Sequence, residues 1–173
     1  MGIAHQHIKD SRAKRKVPCA KFGTLADYVP FYFAPRSPML YAISVGAVRD
    51  YRGAQREVAH LVTNAESIQE ADLPFAFTDG HADIFVSRFF DELADLRLHV
   101  DWDVMRLAYW NDTERDPDRK RRRQAEFLVY RSLPWTLVIQ IGVIDKVARS
   151  QVTDTLERAA HRPEVLVRPD WYY

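Results

Sequence analysis

The stretch that most restricts this chain is Arg119-Lys120-Arg121-Arg122-Arg123, which runs straight into Gln124-Ala125-Glu126 and then Phe127-Leu128-Val129-Tyr130. Adjacent cations repel one another and seek water or acids, whereas the residues after Glu126 are apolar or aromatic and fit a buried strand. The boundary predicts a charged loop that ends where a strand begins. Side chains two apart on a strand share a face, so Gln124 and Glu126 are expected to project together at its mouth. A carboxylate beside a cationic loop is a plausible catalytic placement. The plainer alternative is a solvated charge run with a strand-edge Glu that only faces water.

A chain of 173 residues is long enough to bury a real core and is read as one domain, 1–173. Its 25 Lys and Arg nearly balance 24 Asp and Glu, so net charge says nothing about partners. The distribution does: cations crowd into Lys9–Lys21 and Arg115–Arg123, an asymmetry that a polyanion would exploit. The single Cys19 excludes an intramolecular disulfide or a cysteine-rich zinc site and fits a reducing, cytoplasmic setting. His5 and His7 fall on different faces of a helix, so no metal pair is expected there. No apolar run approaches the roughly 20 residues of a bilayer span, and the opening residues do not read as a secretory signal.

In chain order, Gly2–Lys16 reads as a short helix or arm closed by Pro18, with Arg12 one solvated charge among many. Val29–Phe33 reads as a strand, with Pro30 tolerated near its start or on an edge. Ser37 before Pro38 is a helix N-cap signature, leaving Arg36 on a turn where binding residues tend to lie. Glu57–Thr63 reads as a strand, Ala65–Ala71 as a helical turn, Pro74–Phe77 as a short strand, and Thr78–His81 as a turn. Phe85, Phe89, Leu93 and Leu96 then recur at helical spacing. Asp101 caps a short helix that carries Trp102, Met105, Tyr109 and Trp110. Asn111–Asp118 is a polar loop, Pro134 opens a helix-like turn, and Val138–Ile144 is buried as strand or helix. Val147, Ala148, Val152, Leu156 and Ala159 form a helical stripe, and Val165–Val167 a closing strand. Strands and helices mix without regular βαβ alternation, which predicts an α+β fold.

Certain segments are recognisable as they stand. Tyr28-Val-Pro-Phe-Tyr-Phe-Ala-Pro-Arg-Ser-Pro-Met-Leu-Tyr41, Phe75-Ala-Phe-Thr-Asp-Gly-His81, Tyr109-Trp-Asn-Asp112, Arg122-Arg-Gln-Ala-Glu-Phe-Leu-Val129 and Pro169-Asp-Trp-Tyr-Tyr173 occur in the order expected of the DarT family, which the chain resembles over nearly its whole length. The resemblance implies a DNA ADP-ribosyltransferase toxin that splits NAD and attaches ADP-ribose to a base of single-stranded DNA, typically thymine. It implies an ADP-ribosyltransferase-like split antiparallel sheet with flanking helices around an NAD cleft. NAD is the co-substrate, no metal is called for, and a macrodomain antitoxin of the DarG type is the implied partner.

Residue by residue, the resemblance makes Glu126 the catalytic glutamate, at the end of a substrate-binding loop from about Ala71 to Glu126. Its catalytic arginine lies in an Ile-x-x-Arg-Arg run. The match here is Ile8-Lys9-Asp10-Ser11-Arg12, with Ser11 in place of the first Arg and Arg12 in place of the second. Arg12 and Gln124 are expected to bind the cofactor; Arg36, His81, Arg121, Arg122 and Arg123 are expected to meet DNA, with Tyr32, Tyr109 or Trp110 as stacking faces. The family's upstream Tyr-His-Ile-Thr strand has no match, so the fold is expected to be incomplete at the N-terminus. A catalytically impaired single-stranded-DNA-binding remnant is the alternative reading, and simple NAD hydrolysis a third.

Overall fold

The apolar run after Arg123 becomes the strand around which one sheet is built. In a computed structural model, which describes residues 6–48 and 54–173, the strands are β1 (Tyr28–Tyr32), β2 (His60–Val62), β3 (Phe75–His81), β4 (Phe89–Phe90), β5 (Ala125–Tyr130), β6 (Gln140–Val143) and β7 (Glu164–Val167). The helices are α1 (Gln6–Arg12), α2 (Pro38–Ser44), α3 (Ala65–Glu70), α4 (Leu96–His99), α5 (Trp102–Arg106), α6 (Arg119–Arg123) and α7 (Lys146–Thr155). His5 lies outside the described residues, as does the side chain of His7. The α+β class expected from the sequence is the one observed. None of the helices among the described residues is long and apolar enough to cross a membrane.

The described residues form two compact units, one of residues 6–34 and 65–133, the other of 35–48, 54–64 and 134–173. In the first, the antiparallel sheet runs β1-β5-β3-β4. Period-two alternation sorts β5 cleanly. Ala125, Phe127 and Val129 join Phe75, Phe77 and Met105 in one core. Leu128 points the other way, into a second core with Val17, Leu25, Tyr28, Ala76 and Ala82. Glu126 therefore faces the side covered by the N-terminal segment. Pro30 is tolerated because β1 is an edge strand among the described residues.

In the second unit, β6 pairs antiparallel with β2 and parallel with β7. Asp145 caps α7 by accepting from the Ala148 N–H at 2.9 Å. Ser37 caps α2 as its sequence predicts, accepting from Leu40 N–H at 3.2 Å. Tyr172 is buried and donates its hydroxyl to the Val58 carbonyl at 2.6 Å, so the Pro169–Tyr173 segment serves as packing.

The structure corrects several expectations. The residues Thr78–His81 are not a turn but the second half of β3. Residues 85–96 do not form a helix: Phe89 and Phe90 pair with Thr78 and Phe77 as β4, and Phe85 is left in solvent. Cross-strand pairing and the Phe77–Phe90 ring stack at 5.2 Å outweigh the helical spacing. The region from Ala71 to Glu126 is consequently no single loop, since β3 within it is β5's neighbour in the sheet. The basic run, read as a loop, is the short helix α6. The helix capped by Asp101 stops at Arg106, where the chain turns extended at Leu107, so Tyr109 and Trp110 lie beyond it.

The β3–β5 register holds one irregularity. Phe77 faces Phe127, yet His81 faces Ala125, so Thr78, Asp79 and Gly80 together oppose Glu126 alone. Such bulges re-aim side chains beside functional sites. Arg121 clamps this one, donating to Asp79 Oδ1 at 3.1 Å and, through two nitrogens, to Asp118 at 2.7 Å each. Gly80 lies directly beneath: a Cβ there would sit 2.2 Å from Arg121 Nη1. Gly80→Ala should lower stability by about 1–3 kcal/mol in urea unfolding, and by less in an Arg121→Ala background. Additive effects would show that the close approach is not the cause.

The same clamp makes an acid-side prediction. The Arg121 hydrogen bonds hold the Asp118 carboxyl below its ordinary range, against a smaller desolvation effect. A depressed folded-state value contributes stability that is present above the unfolded value near 3.9 and lost as pH falls through the folded one. Stability measured from pH 6 down to pH 2 should thus fall more steeply for the parent than for Asp118→Asn.

Candidate active site

Glu126 is a charged side chain where a strand interior would ordinarily carry an apolar one; its side chain is 2% exposed. Isolated, a carboxylate so buried would be strongly penalised. Two groups answer the charge, and a third holds the backbone beneath it. Arg12 Nη1 donates to Oε2 at 2.9 Å and to Oε1 at 3.3 Å. The Ala82 backbone N–H donates to Oε1 at 3.2 Å. The Glu126 N–H, deprived of its regular ladder partner by the bulge, donates to Thr78 Oγ1 at 3.1 Å, and that hydroxyl donates to Gly80 O at 2.6 Å.

Arg12 reaches this carboxylate from the last residue of α1. The chain beyond it is pinned by buried Val17 and Leu25 and by a bridge between Lys16 and Thr24. Its side chain is 17% exposed, so the pair is not sealed from an incoming group. Nη2 of the same guanidinium is buried and has no hydrogen-bond partner among the described residues. A buried donor left unpaired costs about 1–3 kcal/mol. An anionic ligand group accepting from it would remove that penalty.

Tyr32 pairs with Glu126 across β1 and β5. Its phenol is pushed up to about 12 by desolvation first and by the Glu126 charge next, with Arg12 opposing. Although two-fifths of the residue is open, the phenol stays protonated at physiological pH. A neutral hydroxyl-bearing ring thus stands beside the ion pair, whereas the sequence suggested only a stacking face.

Gln124 does not share the strand face of Glu126. It sits just before β5 at φ −100°, ψ 21°, and its amide donates to Lys120 O at 2.9 Å, ending α6. The expectation of two side chains projecting together fails because the alternation begins one residue later. His81 ends β3, opposite Ala125, and its Nδ1 accepts from Asp83 N–H at 3.2 Å. Arg36 belongs to the other unit, where Nε donates to Tyr172 O at 2.9 Å and the guanidinium lies 5.5 Å from the Tyr173 ring centre.

The basic run is not a row of solvated cations. Arg121 holds the bulge; Arg122 is paired with Asp101 and Asp116; Arg119 meets Asp116 at 3.2 Å. Arg123 is 3% exposed, with its guanidinium 5.9 Å from the centre of the buried Trp110 ring. Tyr109, by contrast, is open to solvent. Composition shows the cations but cannot show that Asp79, Asp101, Asp116 and Asp118 fold back onto them. What sequence reading missed at the site is Thr78, Tyr32's polar role and the Ala82 amide. One signal was legible: a glycine inside a strand pattern, as in Phe75–His81, marks a bulge.

Other features compete poorly. An open concavity of about 460 Å³ beside α7 and β7 is lined by Arg149, Glu157, Arg162 and Glu164 in the second unit. It carries surface charges of both signs and no buried ionisable group, so Glu126 is the stronger marker of chemistry. Burial, with the Asp91 charge second, pushes the Cys19 thiol up to about 11, so it is no ready nucleophile. Among the described residues no group of three or more His, Cys, Asp or Glu could hold a metal ion.

Comparison with known proteins gives this geometry a family. Residues 1–173 match the family described as ssDNA thymidine ADP-ribosyltransferase, DarT. A DNA ADP-ribosyl transferase of Thermus sp. (strain 2.9) is 44% identical over 173 residues, covering 99% of this chain and 80% of that protein. Among solved structures, Thermus sp. 2.9 DarT in complex with ADP-ribosylated ssDNA superposes with a TM-score of 0.94 at 43% identity, over 100% of this chain and 81% of the other. The same Thermus protein in complex with NAD+ gives 0.88 at 44% identity, over 94% and 81%. With a match along its whole length and relatives this similar in sequence and fold, the chain belongs to the DarT family of DNA ADP-ribosyltransferases.

Proposed function

We propose that this chain transfers ADP-ribose from NAD onto a thymine base of single-stranded DNA, with Glu126 and Arg12 as its catalytic residues. The observation that carries the reading is the buried Glu126 carboxylate held at 2.9 Å by an arginine whose second nitrogen has no partner among the described residues. Breaking the bond between ribose and nicotinamide builds positive charge on the sugar carbon, as in glycoside cleavage, and expels a neutral leaving group. Glu126 accepts from a ribose hydroxyl and stabilises that charge as it forms. Arg12 and the Ala82 amide on its oxygens, with Thr78 on its backbone N–H, fix the carboxylate before substrate arrives.

Arg12 serves twice in this proposal. Its free nitrogen donates to a phosphate of NAD, fitting the unpaired donor to the anion that arginine's fork best accommodates. Its permanent charge also favours the anionic form of the thymine ring nitrogen, whose proton passes to solvent as the bond to the sugar carbon forms. Gln124 contributes less directly, fixing the chain between α6 and β5. His81 and Arg36 are the proposed contacts to DNA. For Arg121, Arg122 and Arg123 the contribution is to hold the site's frame, because acids already occupy Arg121 and Arg122 and Arg123 is buried. That pairing also removes support from the alternative, a non-catalytic remnant that binds single strands through its basic run.

The proposal extends to a toxin that acts in the cytoplasm, where the lone Cys19 suits a reducing compartment, and to a macrodomain antitoxin of the DarG type as partner. Residues 1–173 are taken as one functional domain, in keeping with the length of the family match. A thymine-containing single-stranded oligonucleotide incubated with NAD should gain the mass of ADP-ribose, and one without thymine should not. Glu126→Gln keeps the shape but loses the charge, and should slow transfer by about 10²-fold or more with an unchanged circular dichroism spectrum. Equal rates for parent and variant would refute the assignment of Glu126. Arg12→Lys keeps the charge but loses the fork, and should raise the KM for NAD.

A further inference from the structure

Between β3 and β4 the chain turns through Ala82–Ser87, and this loop has an arrangement that packing does not account for. Its tip is Ile84-Phe85-Val86, three consecutive apolar residues in solvent, with Phe85 87% exposed. Single exposed apolar side chains are ordinary; a run of three is unusual unless it meets something. The loop is nevertheless firmly built. Arg15 donates to the carbonyls of Ala82 at 3.3 Å, Ile84 at 3.4 Å, Phe85 at 3.2 Å and Ser87 at 3.5 Å. Turn hydrogen bonds join Ile84 N to His81 O and Ser87 N to Ile84 O, both at 3.0 Å. Buried Ser87 accepts from Arg121 Nη1 at 3.1 Å.

We infer that this loop is a stacking wedge for single-stranded DNA, with Phe85 as the side chain that lies against a base next to the reacting one. The inference rests on the transferase reading for the identity of the nucleic acid, and on this loop's geometry for the rest. Three observations select the occupant. The loop begins at the candidate site, since its first amide, Ala82 N–H, is hydrogen-bonded to Glu126. Phe85 is three residues further on, a backbone reach of at most about 11 Å, which covers a base adjacent to one held at the carboxylate. Lys14 and Lys16, either side of Arg15, are both exposed and lie in the segment that carries the clamp, so cations for the phosphates accompany the apolar tip. An aromatic face with nearby cations is how single strands are held without sequence reading. Apolar side chains inserted between bases also unstack them, which a base must undergo before its ring nitrogen can react.

Arg15 is a positioning residue in this scheme. Its guanidinium, 5.7 Å from the Phe85 ring centre and 5.5 Å from that of Phe89, holds the backbone and so sets where Phe85 is presented. An exposed ring on an ordered loop gives up little conformational freedom on binding.

The test uses the full chain and a single-stranded oligonucleotide carrying 2-aminopurine beside a thymine, titrated at fixed salt. The parent should quench the 2-aminopurine fluorescence on binding. Phe85→Ala should abolish the quench and weaken affinity about tenfold, equivalent to about 1.4 kcal/mol, while Phe85→Trp restores both. Arg15→Lys, which cannot span the same carbonyls, should reduce the quench with Phe85 intact. Unchanged affinity and quench in Phe85→Ala would overturn the wedge and leave the tip as a surface for a protein partner; absence of oligonucleotide binding by the parent would overturn it as well. Phe85-dependent binding without any ADP-ribose transfer would uphold the wedge and defeat the transferase reading. Transfer at sub-saturating DNA that is indifferent to Phe85→Ala would do the reverse.

Discussion

A carboxylate with its side chain 2% exposed, in the middle of a sheet, is the constraint to which the first unit is adapted. Strand β5 is apolar on both faces except at Glu126, and every irregularity nearby compensates for that exception. The bulge in β3 makes room, Thr78 takes over the lost ladder contact, and an arginine is brought to the carboxylate from more than a hundred residues away in sequence, 114 positions earlier. Burying such a pair is rarely the most stable solution, since well-packed apolar residues of equal volume often do better. The proposed chemistry gives the pair a use that stability does not, and the Arg12 nitrogen without a partner among the described residues agrees with it.

Arginine in this unit is chiefly a building material. Arg121 joins α6 to the bulge, Arg122 ties Asp101 to Asp116, and Arg15 gathers four carbonyls of one loop. Each guanidinium has several donors in a fixed plane and can bind groups that a lysine would serve one at a time. Near-neutral net charge and a locally basic segment are thus reconciled: acids drawn from Asp79, Asp101, Asp116 and Asp118 neutralise the run by folding onto it.

What the sequence made legible follows from local physics. The strand at Ala125–Tyr130, the caps at Ser37 and Asp101, and the helix after Asp145 were readable because each depends on a few adjacent residues. Glu126 stands out from its place at a strand mouth beside cations, whereas Arg12 is singled out through resemblance alone, since nothing local announces an ion pair across 114 positions. The failures share a cause. Phe89, Leu93 and Leu96 keep helical spacing, but Phe89 and Phe90 are claimed by pairing with β3, and the tip around Phe85 is drawn into a turn by Arg15. Gln124 was assigned to a strand face that starts one residue later. The basic run reads as a loop free to meet DNA because its acidic partners are distributed over some forty residues of chain, from Asp79 to Asp118.

The Ala82 contact to Glu126 is made by backbone, not by side chain. Ordinary replacement at position 82 leaves the amide in place so long as the new residue fits; only an imino acid deletes the donor. A survey of side-chain substitutions would consequently score this position by its steric tolerance and pass over its electrostatic part. One of the groups that hold the carboxylate is thereby carried by the main chain, encoded in the path of the fold and indifferent to the letter written there.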